Sequence, residues 1–124
     1  MGLLSTHILD TMHGRPARGV RLELYAIAAD GARTLITQTE TNADGRTNAA
    51  LLEGTSLRAG CYEIVFHLGD YFRREGGPVA DPPFYNQVPV RFEIVDLDYH
   101  YHVPVIASPW TYSTYRGNPQ SKVS

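Results

Sequence analysis

Apolar and polar residues alternate with a period of two along several short stretches of the chain, a pattern that predicts strands with one buried face. Val20-Arg21-Leu22-Glu23-Leu24-Tyr25-Ala26 shows it most plainly. Asp30-Gly31 follows, and then Thr34 to Thr39, rich in β-branched residues, so the two runs predict a hairpin closed around an Asp-Gly turn. A second turn signal, Asn42-Ala43-Asp44-Gly45, delivers Arg46 at the start of another extended piece. From Cys61 to Leu68 the residues Tyr62, Ile64, Phe66 and Leu68 share one face, and Glu63 and His67 share the other. Asp70 to Glu75 permits a short helix that Gly76-Gly77 stops, and residues 76 to 83 read as a Gly- and Pro-rich loop. Val88, Val90, Phe92 and Ile94 alternate with Pro89, Arg91 and Glu93, and Pro89 places the start of that strand at a sheet edge. Two last strands run from about Tyr101 to Ala107 and from Trp110 to Tyr115, joined at Ser108-Pro109.

Seven or eight short strands with at most one short helix predict an all-β sandwich of two antiparallel sheets. At 124 residues the chain is long enough for one core and too short for two. Residues 118–124 are polar and lack an apolar anchor, so 1–117 reads as the domain and the rest as a mobile tail. Hydrophobic residues at 43% and charged residues at 19% fit a folded globular chain.

The formal net charge of -2 leaves no basic field to hold a phosphate backbone, which argues against nucleic acid as a partner. Ten of the eleven cationic residues are Arg, Lys122 being the one Lys, a bias that suits flat, oxygen-rich ligands but follows equally from base composition. No run approaches the roughly 18 apolar residues of a membrane helix. The opening MGLLSTHILDTMHG lacks the basic and long apolar regions of a secretory leader, so the expected compartment is the cytoplasm. Cys61 has no partner for an internal disulfide and, inside an apolar run, reads as a small buried hydrophobe.

Three of the five histidines fall in interpretable places: His7, His100 and His102. Two apart on a strand, His100 and His102 project together and face outward, because Tyr101, Val103 and Val105 form the apolar face. They can be plain solvent-facing residues, a zinc site with His7 as third ligand, or a general base for water, since an ordinary imidazole titrates near neutrality. Arg46 is a surface or salt-bridging arginine on its own merits, and Tyr115 a core or interface aromatic. No nucleophile elbow, phosphate loop or dinucleotide motif is present, and Ser5 and Ser108 lack any spacing that marks a nucleophile.

Leu4-Ser5-Thr6-His7-Ile8-Leu9-Asp10-Thr11, Thr41-Asn42-Ala43-Asp44-Gly45-Arg46, His102-Val103-Pro104 and Tyr112-Ser113-Thr114-Tyr115-Arg116-Gly117 together resemble the 5-hydroxyisourate hydrolases of the transthyretin-like family. The resemblance covers residues 3 to 117. It implies an eight-stranded transthyretin-like sandwich with one short helix, assembled as a homotetramer, a dimer of dimers with its active sites in a central channel. The implied catalytic residues are His7, Arg46 and His102, with His7, Arg46 and Tyr115 binding substrate, and with no cofactor and no metal. The implied reaction opens the ring of 5-hydroxyisourate, a purine-derived small molecule of urate degradation, to give 2-oxo-4-hydroxy-4-carboxy-5-ureidoimidazoline. The chain departs from the family pattern at Asn118, where the closing Tyr-Arg-Gly motif is typically followed by Ser, and at the residues beyond it. Two rival readings remain: a carrier of a hydrophobic ligand in an apolar channel, and a zinc-binding module built on His7, His100 and His102.

Overall fold

The computed structural model of the chain describes residues 1–76 and 79–117. Nine strands are present among them: β1 Leu3–Asp10, β2 Arg15–Pro16, β3 Arg21–Ile27, β4 Arg33–Glu40, β5 Leu52–Glu53, β6 Gly60–His67, β7 Gln87–Ile94, β8 His100–Ser108 and β9 Thr111–Thr114. The helix α1, Leu68–Arg74, follows β6 directly, and a single 3-10 turn spans Gly54–Ser56. The predicted sandwich is therefore observed, with β2 and β5 as two-residue strands the period-two pattern is too short to reveal. The helix starts two residues earlier than expected, because Leu68, Tyr71 and Phe72 all turn into the core.

One sheet has five strands in the order β2-β1-β8-β9, with β5 also on β1, and the other has the order β4-β3-β6-β7. Every pairing is antiparallel except β1 with β8, which run parallel with Ser5 opposite His102 and His7 opposite Pro104. This corrects the expectation of two purely antiparallel sheets. No hairpin joins β1 to β8, so nothing local dictates their relative direction.

The core lies between the sheets. Leu4 and Ile8 of β1 and Tyr101, Val103, Val105 and Ala107 of β8 meet Leu22, Leu24, Tyr62, Ile64, Phe66, Val88 and Ile94 of the facing sheet. Side chains of this size contribute about 1.5–3 kcal/mol each when fully buried, and strict alternation keeps the opposite faces free for polar residues. The edge predicted from Pro89 is observed, since β7 pairs with β6 alone.

The outer face of the four-stranded sheet is more enclosed than the sequence pattern suggests. Glu63 and His67 are buried there, because Arg33 and Arg91 close over Glu63 and because the His67 Nε2 donates to Glu23 Oε2 at 2.9 Å. Cys61 shares this polar face with Glu63 and is only half-buried, so the expectation of a buried core thiol is corrected.

Candidate active site

The open face of the five-stranded sheet carries the odd-numbered residues of β1 and the even-numbered residues of β8. Ser5 and His7 therefore stand beside His100, His102 and Pro104, while Leu4, Thr6 and Ile8 point inward.

Arg46 reaches this face by a stapled turn. The Asn42 side-chain oxygen accepts from the Asp44 amide at 2.9 Å and from the Arg46 amide at 3.3 Å, and the Asn42 backbone N–H donates to the Arg46 carbonyl at 2.7 Å. Thr41, just before it, is buried and fixes the entry by accepting from the Val20 amide and donating to the Ala17 carbonyl. Gly45 takes the left-handed φ of +76° that closes the turn. The Gly45 carbonyl then accepts from the Ile8 amide, and a single bridge sets Arg46 opposite His7. The extended piece expected after Arg46 is limited to this bridge.

His7 is half-buried, and its Nε2 lies 2.9 Å from the Asp44 carbonyl oxygen. A carbonyl only accepts, so Nε2 carries the proton and the neutral ring keeps its lone pair on Nδ1. His102 is buried, not solvent-facing as its outward position suggested. Ser5 Oγ sits 2.8 Å from its Nδ1, and Gly117 covers the ring so tightly that a methyl group on it would lie 2.7 Å from Cδ2.

The three residues share one electrostatic field. Burial and the nearby Arg46 guanidinium lower the pKa of His7 below 6.5, against the pull of the Asp44 carbonyl. Burial, Arg46 and then His7 lower that of His102, against a hydrogen bond to the Ser5 backbone. Both imidazoles are therefore neutral at pH 7, and Arg46 supplies the positive charge.

The other expected members stand apart. His100 shares the face but spends its Nε2–H on the Met1 carbonyl, 3.2 Å away. Among the described residues no three His, Cys, Asp or Glu side chains come together as metal ligands. Tyr115 is largely exposed, and together with His102, Thr114 and Phe92 it lines a cleft of about 390 Å³ whose walls include neither His7 nor Arg46. Arg116 packs its guanidinium 4.3 Å from the centre of the Tyr99 ring, which anchors the segment that lays Gly117 on His102. Asn118 and the rest of 118–124, like Gly77, lie outside the described residues.

Sequence reasoning left out a second polar cluster. Asp10, fully buried, accepts from the Tyr71 hydroxyl at 2.7 Å, from His13 Nδ1 at 2.6 Å and from the His13 amide at 3.0 Å. Burial pushes its carboxyl up, but these donors outweigh it and hold the pKa below 3.8. The spacing of Asp10 and His13 across a turn was the available signal; Tyr71 gave none.

Fold and candidate site together describe a two-sheet sandwich protein whose open sheet face gathers two imidazoles and a guanidinium. The chain belongs to the HIUase/transthyretin family, whose sequence pattern matches residues 4–117. It is 53% identical over 117 residues to 5-hydroxyisourate hydrolase 2 of Rhizobium meliloti, covering 94% of this chain and 97% of the relative. It is 50% identical to the 5-hydroxyisourate hydrolase of Deinococcus radiodurans, over 93% of this chain and 95% of that one. Among solved structures, (S)-allantoin synthase superposes with a TM-score of 0.88 at 39% identity, over 94% of this chain and 44% of that longer one. Sea bream transthyretin in complex with thyroxine gives 0.84 at 28%, over 95% and 97%. The Klebsiella pneumoniae 5-hydroxyisourate hydrolase gives 0.78 at 34%, over 95% and 100%.

Proposed function

We propose that the chain hydrolyses 5-hydroxyisourate in urate degradation, with His7, Arg46 and His102 as its catalytic residues and Tyr115 as a substrate-binding residue. The observation that carries this reading is the convergence of two neutral imidazoles and one guanidinium on a single sheet face. A carrier of an apolar ligand gains nothing from such groups, since an apolar ligand leaves each of them desolvated and unpaired.

Ring opening needs an activated water and a place for negative charge. One imidazole takes a proton from water as the oxygen attacks the ring carbonyl, and the resulting imidazolium returns that proton to the departing nitrogen as the C–N bond breaks. Such acid–base help is worth about 10²–10⁴-fold. Arg46 stabilises the oxyanion of the tetrahedral intermediate, a contribution of about 10²–10³-fold for one well-placed donor. The product is a ring-opened ureido-imidazoline carboxylate.

We further infer a homotetramer, a dimer of dimers, in the cytoplasm. Strands β7 and β9 are unpaired edges of the two sheets, and the exposed Val95, Trp110 and Tyr115 add apolar surface to the molecule. Within one chain the cleft that Tyr115 and His102 line has neither His7 nor Arg46 in its walls, and an assembly of copies can bring all four to one channel. No helix among the described residues is long and apolar enough to cross a membrane.

The test is the disappearance of freshly made 5-hydroxyisourate, generated from urate by urate oxidase. Decay far faster than the spontaneous rate is expected. Decay at the spontaneous rate with folded protein, together with tight binding of a hydrophobic ligand, would favour the carrier instead.

A further inference from the structure

Ser5 and His102 are register partners on the parallel strands β1 and β8, and both side chains stand on the open sheet face. The Ser5 hydroxyl oxygen lies 2.8 Å from His102 Nδ1. A hydroxyl can donate to a bare ring nitrogen or accept from a protonated one, so this contact alone leaves the tautomer undecided. Either way the contact occupies Nδ1 and leaves Nε2 as the ring's other nitrogen. Only the Nδ1–H form, with the Ser5 hydroxyl accepting, leaves a lone pair on Nε2 to take a proton from water. Gly117 lies beside the ring, where a methyl group added to it would come within 2.7 Å of Cδ2 and 3.3 Å of Cγ.

We propose that Ser5 is a positioning residue that holds His102 as the Nδ1–H tautomer and so presents Nε2 as the basic nitrogen for the attacking water. The proposal rests on the hydrolase reading and deepens it. His7 is held the opposite way, with Nε2–H on the Asp44 carbonyl and the lone pair on Nδ1. The two rings thus present different nitrogens as bases, each set by its own neighbour. When His102 takes the proton from water at Nε2, the imidazolium keeps its Nδ1–H on Ser5, so no ring flip or second proton movement is needed.

The test combines ring ¹⁵N NMR with kinetics on wild type, Ser5→Ala and Ser5→Thr. Above the titration of the histidines, wild-type His102 is expected to show a protonated Nδ1 and a bare Nε2. Ser5→Ala should mix the tautomers and lower kcat about 10- to 100-fold with little change in KM, the usual scale for losing a partner that orients a histidine. Ser5→Thr, which keeps the hydroxyl, should restore both. A protonated Nε2 in wild type would overturn the proposal, and so would a Ser5→Ala variant with wild-type tautomer and kcat. The NMR readout needs no substrate, so failure of the hydrolase reading shows separately, as absence of turnover in wild type.

Discussion

Gly45 lies so close over the Ile8 carbonyl that a methyl group in place of its hydrogen would sit 2.4 Å from that oxygen. The contact is what seats the Asn42–Arg46 turn against β1 and brings Arg46 opposite His7. Gly45→Ala meets this clash at a left-handed φ of +76°, where any side chain is strained. Stability should fall by at least about 1 kcal/mol, and kcat/KM should fall by more than unfolding accounts for, because Arg46 and the Asp44 carbonyl move together. Thermal melts beside steady-state kinetics check both.

Gly117→Ala addresses the same site from its other side. The added methyl would press on His102 Cδ2 at 2.7 Å, with no left-handed φ to complicate the result. The segment has its own anchor in Arg116 over Tyr99, so the fold should lose little while kcat falls at least about tenfold. A fully active Gly117→Ala would show that the His102 ring is not held where the chemistry needs it.

Activity should follow the neutral forms of the two imidazoles. Both have pKa values lowered below 6.5, by burial first and by Arg46 next. Each ring therefore loses its proton at lower pH than a free histidine does, and kcat/KM should approach its plateau at lower pH than a free imidazole would allow. It should decline as the pH falls through values below 6.5, as the property of a coupled pair rather than of either residue. Replacing Arg46 with Gln removes the repelling charge and should move this acid limb upward. A midpoint above 6.5 in wild type would contradict the assignment.

Tyr71→Phe tests the cluster outside the site. It removes one donor from the buried Asp10 carboxylate, and hydrogen bonds to charged groups are worth about 1.5–3 kcal/mol. The Asp10 pKa is lowered in the folded chain, so its contribution is complete above the ordinary value of 3.8 and is lost as the pH falls through the folded value. The gap between wild type and Tyr71→Phe should thus be full at neutral pH and narrow in acid, as followed by denaturant melts across pH. Catalysis at pH 7 should be unaffected.

Alternation of apolar residues made β3, β6, β7 and β8 legible, and Asp-Gly turns marked both the β3–β4 hairpin and the loop of Arg46. What it could not reveal is pairing across the chain. The parallel contact of β1 with β8 joins segments 97 residues apart at Ser5 and His102, and no local signal encodes it. His7, Arg46 and His102 are singled out as candidates only by the family motifs, since spacing alone leaves each a plausible surface residue. The polarity pattern also misjudged exposure, because Arg33 and Arg91 enclose Glu63, and Gly117 and Ser5 enclose His102. Ser5, dismissed as a nucleophile from its spacing, acquires a role only through its place beside a ring it does not neighbour in sequence.

The most direct measurement is the rate of 5-hydroxyisourate hydrolysis by wild type, His7→Asn, His102→Asn and the double variant, each shown to be folded. Each single change should lower kcat/KM by about 10²–10⁴-fold, and the double change should cost little beyond the worse single one, because the two rings serve one proton transfer. Folded variants that keep wild-type rates would contradict the account.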